Sequence, residues 1–352
     1  MKLFECQHCG QPLYFENTRC ESCGRKLGYL PGKETMTAIE SDRGAWRALA
    51  DGSRYRCCNL INWRKIEAAK HRLFYTLLKL RLPHKTRIDD PRQGLAFDFL
   101  SPQGATAGNP IITGHDSGVI TINLAEADDA ERERRRREMH EPYRTLLGHF
   151  RHEIAHYYWD RLVQDSPSIA EFRQLFGDKR QDYAAAMERH YANGPPRDWH
   201  EHFVSAYASM HPWEDFSETW AHYFHMVDTL ETAGAFGIRV KPKISKGADL
   251  AATIDFDPHS ATMERIIAAW LPLTFAVNSI NRSMGIADLY PFVLPPPVIL
   301  KLAFVHERIH AASQHSAAGG GAPQQDAEQA GRRALRAAVA GLRRGVGVPD
   351  PI

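Results

Sequence analysis

The chain has 352 residues, 43% of them hydrophobic, with 44 Lys and Arg against 42 Asp and Glu. That is enough apolar material for one large core and a small module, and a formal charge of +2 excludes a protein built mainly to grip a phosphate backbone. The opening Met1-Lys2-Leu3-Phe4-Glu5-Cys6 lacks the apolar run of an export signal, and the stretch 292–305 is broken by Pro295, Pro296, Pro297 and Lys301, so a cytoplasmic protein with no membrane span is expected.

All six cysteines fall within the first 58 residues. A disulfide framework would staple a whole small fold, whereas clustering at one end reads as a metal site in a reducing compartment. Cys6-x2-Cys9 and Cys20-x2-Cys23, ten residues apart, each form a knuckle that aims two sulfurs at one point, with Gly10 and Gly24 at the sharp turns. Together they supply the four thiolates of a closed, structural Zn²⁺ site. A zinc ribbon is therefore expected over residues 1–30, folded by its metal because so short a module has little core. Its charges, Lys2, Arg19, Arg25 and Lys26 against Glu5, Glu16 and Glu21, make no basic stripe, which favours a protein partner over nucleic acid. Cys57 and Cys58 are adjacent, and neighbouring thiolates do not readily share one ion.

Residues 31–90 read as a linker and helix, with Pro31-Gly32 and Asp51-Gly52 as breakers. From Trp63 to Leu82, Ile66, Ala69, Leu73, Leu77 and Leu80 recur at helical spacing. Leu95–Leu100 and Gly118–Asn123 read as strands. Asp128–Arg137 is a charged segment expected to be a solvated helix with Glu-to-Arg pairs. Pro142 suits the first turn of a helix running to about Leu162. Further helices are predicted over Ser168–Leu175, Gln181–Tyr191, Trp213–Leu230, Glu264–Val277 and Pro297–Ala311. From Ser313 the composition turns to Ala, Gly and Gln, predicting a disordered tail over 313–352, with an amphipathic basic pattern at Arg332–Arg344. The fold class expected is α+β, mainly helical, with a catalytic domain over 91–235 and a helical subdomain over 236–312.

The helix after Pro142 carries His152-Glu153-Ile154-Ala155-His156. Residues four apart share one helix face, so His152 and His156 can hold one Zn²⁺, and Glu153 can reach a water on the open side as general base. The pattern is short and the chain has 18 His, so its context matters. Leu146, Leu147, Phe150, Ile154 and Tyr157 supply a face to bury, and the Gly118–Asn123 strand lies upstream as a candidate wall of a substrate cleft. His149 is assigned to packing or support. Asp160, eight residues past His152, is about 12 Å along the axis and out of reach of the same ion. A catalytic zinc needs a third protein ligand. Glu214 and Glu218 share a face of the Trp213 helix, so one can bind the ion while the other accepts a hydrogen bond from a ligand histidine. His222 and His225 are alternative ligands.

His152-Glu-x-x-His156 followed by Glu214-x-x-x-Glu218 resembles the gluzincin clan of zincin-like peptidases. The resemblance implies Glu214 as the zinc ligand, Glu218 as the group orienting a histidine, and Tyr207, seven residues before Glu214, as oxyanion donor. The chain further resembles a bacterial family of zinc-binding metallopeptidases with an amino-terminal zinc ribbon. The strings that carry it are Gly114-His-Asp-Ser-Gly118, Glu141–Glu153, Ser205-Ala-Tyr-Ala-Ser209 and Tyr290-Pro-Phe-Val-Leu294. It departs from that family at Tyr55-Arg-Cys-Cys-Asn59, which runs almost directly into the Trp63 helix where a longer cysteine-containing stretch is usual. The activity implied is hydrolysis of a peptide or protein substrate, with one catalytic and one structural Zn²⁺. The competing expectation is an adaptor that binds protein or nucleic acid through its ribbon, its peptidase-like domain being silent.

Overall fold

A computed structural model describes residues 4–14, 17–30, 35–42, 45–52, 54–55, 61–100, 113–139, 141–243 and 250–318. Cys57, Cys58 and 319–352 with the Arg332–Arg344 pattern lie outside the described residues, whereas 313–318, expected to open the disordered tail, continue the last helix. The chain is α+β and mainly helical, and none of the described helices is long and apolar enough to cross a membrane.

At the amino end β1 (Phe4–Glu5) and β2 (Pro12–Leu13) form an antiparallel hairpin. The first knuckle lies between them and the second follows. Gly10 and Gly24 adopt φ of +74° and +70°, and their N–H groups donate to the carbonyls of Cys6 and Cys20 at 2.8 Å. The chain continues through β3 (Lys26–Leu30), β4 (Thr35–Asp42), β5 (Ala45–Ala48) and β6 (Arg54–Tyr55), a four-stranded antiparallel meander. Strands thus occupy much of the stretch read as linker. Met36 and Ala38 of β4 are buried with Phe4, Cys6, Leu13, Cys20 and Leu27 in one small core. A 30-residue ribbon leaves this face open, and β4 closes it.

The larger core begins at α1 (Ile61–Lys79). Ile66, Ala69, Leu73, Leu77 and Leu80 are all buried, as their spacing predicts. A three-stranded sheet follows, ordered β7 (Ala96–Leu100), β9 (Val119–Asn123), β8 (Gly114–Asp116), with β7 parallel and β8 antiparallel to β9. The β8–β9 turn places Ser117 and Gly118 at φ of 49° and 88°. A Cβ at Gly118 would lie 2.4 Å from the carbonyl oxygen of Gln93, so only glycine fits. Ile120 and Ile122 turn inward, and β8 lies at the edge of the described sheet beside the next long helix.

The charged segment is α2 (Asp129–Glu138), capped by Asp128 and carrying the expected pairs of Glu131 with Arg134 and Arg135 and of Glu133 with Arg136 and Arg137. The metal-motif helix α3 runs Leu146–Leu162 and does not open at Pro142. Thr145 caps it, its Oγ1 accepting from the Gly148 N–H at 3.0 Å, because a hydroxyl satisfies a first-turn donor that proline leaves unanswered. Then come α4 (Ile169–Leu175), α5 (Tyr183–Asn193), the short α6 (Trp199–His202) and a 3-10 turn at Tyr207–Met210. The long α7 (Pro212–Ala235) is followed by a small hairpin of β10 (Arg239–Val240) and β11 (Ala252–Thr253), and by α8 (Met263–Ser283) and α9 (Pro296–Ala318). α3 and α7 pack along one another at the centre. Tyr158 of α3 stacks on Trp220 of α7 at 5.1 Å, and Phe172, Phe176, Phe216 and Phe304 close the end near α9.

Candidate metal centre and active site

Within this largely apolar pair of helices lies a polar layer. On α3, His152, Glu153 and His156 are buried, and so are Glu214 and Ser217 on α7. His211 caps α7, its Nδ1 accepting from the Trp213 N–H at 3.1 Å, and Pro212 takes the first turn, so the helix begins two residues before Glu214 must point inward.

The two helices bring together what 62 residues of chain separate. His152 Nε2 lies 2.9 Å from Glu214 Oε2, and His156 Nε2 lies 3.6 Å from Glu214 Oε1. Donors about 2.1 Å from a shared tetrahedral ion stand roughly 3.4 Å apart, so this spacing suits such an ion. Ligand atoms of His152, His156 and Glu214 all lie within 4.8 Å of one another. The outer nitrogens are occupied. His152 Nδ1 donates to Glu218 Oε1 at 2.8 Å, and Glu218 Oε2 accepts from Ser205 Oγ at 2.7 Å. His156 Nδ1 stands 2.8 Å from Ser217 Oγ, whose hydroxyl reaches the Trp213 carbonyl at 3.1 Å. That chain leaves Nε2 of His156 with its lone pair toward Glu214. Trp213 packs on His156 at 4.0 Å, and His115 of edge strand β8 lies 6.3 Å from it.

Electrostatics sort these groups. Burial opposes a charge on His152, yet Glu214 and Glu218 hold it well above the usual histidine range. Glu214 is likewise desolvated, but His156, His152 and Tyr183 bring it down to about 2. Burial takes His156 down to about 3, leaving a neutral imidazole. Glu153 is pushed up to about 7 by burial, and it accepts no hydrogen bond from a described residue.

Tyr207 reaches the site, its ring 6.0 Å from His152. Tyr183 of α5, which the sequence reading did not single out, donates to Glu214 Oε1 at 3.0 Å. Ser205 and Ser217 were also missed. A serine three residues beyond a candidate ligand carries no local signal of its partner. The remaining candidates point elsewhere. His149 Nδ1 faces Glu126 at 3.6 Å. His222 Nδ1 pairs with the Tyr290 hydroxyl at 2.7 Å, and His225 Nδ1 accepts from Arg151 at 2.6 Å, so neither alternative ligand joins the group. Asp160 is half-buried near Lys179.

The chain holds a second His-Glu-x-x-His, His306-Glu307-Arg308-Ile309-His310 on α9. Its imidazoles, 4.1 Å apart, share the Tyr223 hydroxyl at 3.0 and 3.4 Å, and among the described residues no carboxylate stands with them as Glu214 stands with the first pair. Asp228, Glu231 and His259 also cluster, but Arg151, Thr76 and His259 occupy Asp228 while Tyr75 and Lys79 occupy Glu231. At the ribbon, the free thiols of Cys6, Cys9, Cys20 and Cys23 converge, with Cys6–Cys23 and Cys9–Cys20 sulfurs 3.8 and 3.5 Å apart.

A four-thiol module joined to a helical domain with a buried His-His-Glu group gives the chain two sets of side chains that could each hold a metal ion. Residues 59–308 match the family described as "Putative zinc-binding metallo-peptidase", and residues 3–68 match a zinc-ribbon domain. The chain belongs to that metallopeptidase family. It is 42% identical over 335 residues to uncharacterised proteins of Mycobacterium tuberculosis and Mycobacterium bovis, spanning 87% of this chain and 94% of each relative. No solved structure gives a significant match.

Proposed function

We propose that the chain is a zinc metallopeptidase of gluzincin type, with His152, His156 and Glu214 holding the catalytic ion. A zinc ion there supplies Lewis acidity, acidifying water and polarising the scissile carbonyl. Glu153 takes the proton of the attacking water and returns it to the leaving amine. Glu218 and Ser217 fix the two imidazoles by their outer nitrogens, and Ser205 fixes Glu218. Tyr183 donates its hydroxyl to Glu214, and Tyr207, which hydrogen-bonds to Tyr183, is the proposed donor that turns to the developing oxyanion. Burial keeps the Tyr207 phenol far above its usual range and therefore protonated. The edge of β8 is the proposed wall against which a peptide lies. Cys6, Cys9, Cys20 and Cys23 hold a structural zinc, and free thiols in that set fit a cytoplasmic location. We take 1–30 as the ribbon, extended by the β3–β6 sheet, 91–235 as the catalytic unit and 236–312 as the helical subdomain. The ribbon's partner is read as a protein.

The observation that carries this reading is the convergence of two imidazole nitrogens and a carboxylate beside Glu153, which has no hydrogen-bond partner among the described residues. Glu153→Gln is expected to keep its zinc and to lose at least about 10²-fold in cleavage of a diverse peptide mixture. Unchanged turnover in the folded variant would end the hydrolase reading. The adaptor reading predicts instead a single zinc per chain, lost with Cys6 and Cys9.

A further inference from the structure

The loop between α4 and α5 places Lys179 against the candidate site. Gly177 at φ +101° lets this loop lie on the start of α7, where a Cβ would come 3.1 Å from Pro212 Cγ. Gln181 fixes the loop further by accepting from His211 Nε2 at 3.2 Å. Lys179 Nζ then sits 4.1 Å from the ring of Trp159 and 4.2 Å from that of Trp213. Trp213 is the residue that packs on His156, and Trp159 lies one turn beyond His156 on α3. The lysine's charge is felt at His156, at His115 of β8 and at His211.

Among the described residues no carboxylate comes within 4.0 Å of this ammonium; the nearest acid it feels is Asp160. Two indole faces attract a cation but do not neutralise it. Beside it opens a cavity of about 360 Å³, lined by Trp159, Ile169, Phe172, Arg173, Lys179 and Arg180. Asp178 on the rim is shared by Arg180 at 2.6 Å and Arg173 at 3.9 Å, so the rim is net positive and this carboxylate is not the partner of Lys179. An apolar floor with a half-buried cation at the mouth suits a short aliphatic segment that ends in an anion.

We propose that Lys179 is a specificity-determining residue that anchors a carboxylate of the peptide substrate on the His156 side of the site. The carboxylate belongs either to an acidic side chain or to the substrate's carboxy terminus. The assignment takes its substrate from the peptidase reading above, and its binding test does not depend on turnover.

The experiment uses the full zinc-loaded chain and one synthetic peptide library in three forms: with Glu and a free carboxy terminus, with Gln in place of Glu, and with Glu and a terminal amide. Cleavage is read by mass spectrometry, and binding to the zinc-loaded Glu153→Gln protein by calorimetry. A charge-assisted contact predicts an advantage of about tenfold in KM or Kd for the form that keeps the recognised carboxylate. Loss with Gln assigns the side chain, and loss with the amide assigns the terminus. In Lys179→Met, which keeps the stem over both indoles, the ratio between forms falls to about one, and in Lys179→Glu it inverts. Equal binding of all three forms, or an unchanged ratio in Lys179→Met, would overturn the proposal. Preferential binding without any cleavage would keep it and remove the hydrolase reading instead.

Discussion

At Glu153, burial lifts a carboxyl from its ordinary 4.5 to about 7, where a small change in pH changes its charge. A general base acts in its ionised form, so cleavage must fall as pH drops through the folded pKa. A divalent cation beside the group favours the anion and moves that point downward. The expected kcat/KM profile therefore rises with pH along a single acid limb centred at or below about 7. The absence of any acid limb across the whole pH range in which the protein stays folded and keeps its zinc would remove Glu153 from the role. Helix spacing offered an acid of α7 to a ligand histidine, but it did not pair the two serines or Tyr183. The contacts of Ser217 with His156, Ser205 with Glu218 and Tyr183 with Glu214 span 61, 13 and 31 residues.

Among the elements, α7 carries the greatest demand, because Trp213, Glu214, Ser217 and Glu218 must all face α3 at once. Asp215 turns the other way and meets Lys301 of α9, whose ammonium lies 2.6 Å from Asp215 Oδ2 and donates to the His202 carbonyl at 2.8 Å. Both side chains are buried, and burial pushes Asp215 up to about 7 against the pull of Lys301. Such a pair is costly to break from one side, since the remaining charge stays desolvated. Lys301→Met is expected to destabilise the protein by about 3–5 kcal/mol in denaturant unfolding. Asp215→Leu added to it should recover most of that loss. A single variant as stable as the parent would show that this pair does not brace the start of α7.

For the whole molecule, the described residues form two hydrophobic cores that share no residue. The ribbon core has seven buried side chains, two of them metal-site cysteines, so its stability is tied to the metal. Replacing Cys6 and Cys9 by Ser should remove one zinc per chain and open the β1–β4 region to limited proteolysis. The other zinc and the cooperative unfolding of the large core should survive. Loss of both ions together would contradict independent sites.

Two layers of this architecture were readable before any coordinates. Wherever one element's own geometry decides, residue spacing was sufficient: Cys-x2-Cys makes a knuckle, residues four apart share a helix face, and Ile66 through Leu80 face inward. Strands β3–β6 and β8 escaped because their sequences are mixed and their pairing is set by partners elsewhere. The same limit separates His152–His156 from the identical pattern at His306–His310. Both place two imidazoles one turn apart, and only the packing of α3 on α7 brings a carboxylate from 62 residues away to the first pair. Lys179 likewise becomes a site beside the candidate centre only because Gly177 lets its loop settle on α7 and the core holds Trp159 and Trp213 to receive it. Contacts within a turn follow from backbone geometry, whereas contacts between distant elements depend on how side-chain volumes fill the shared core.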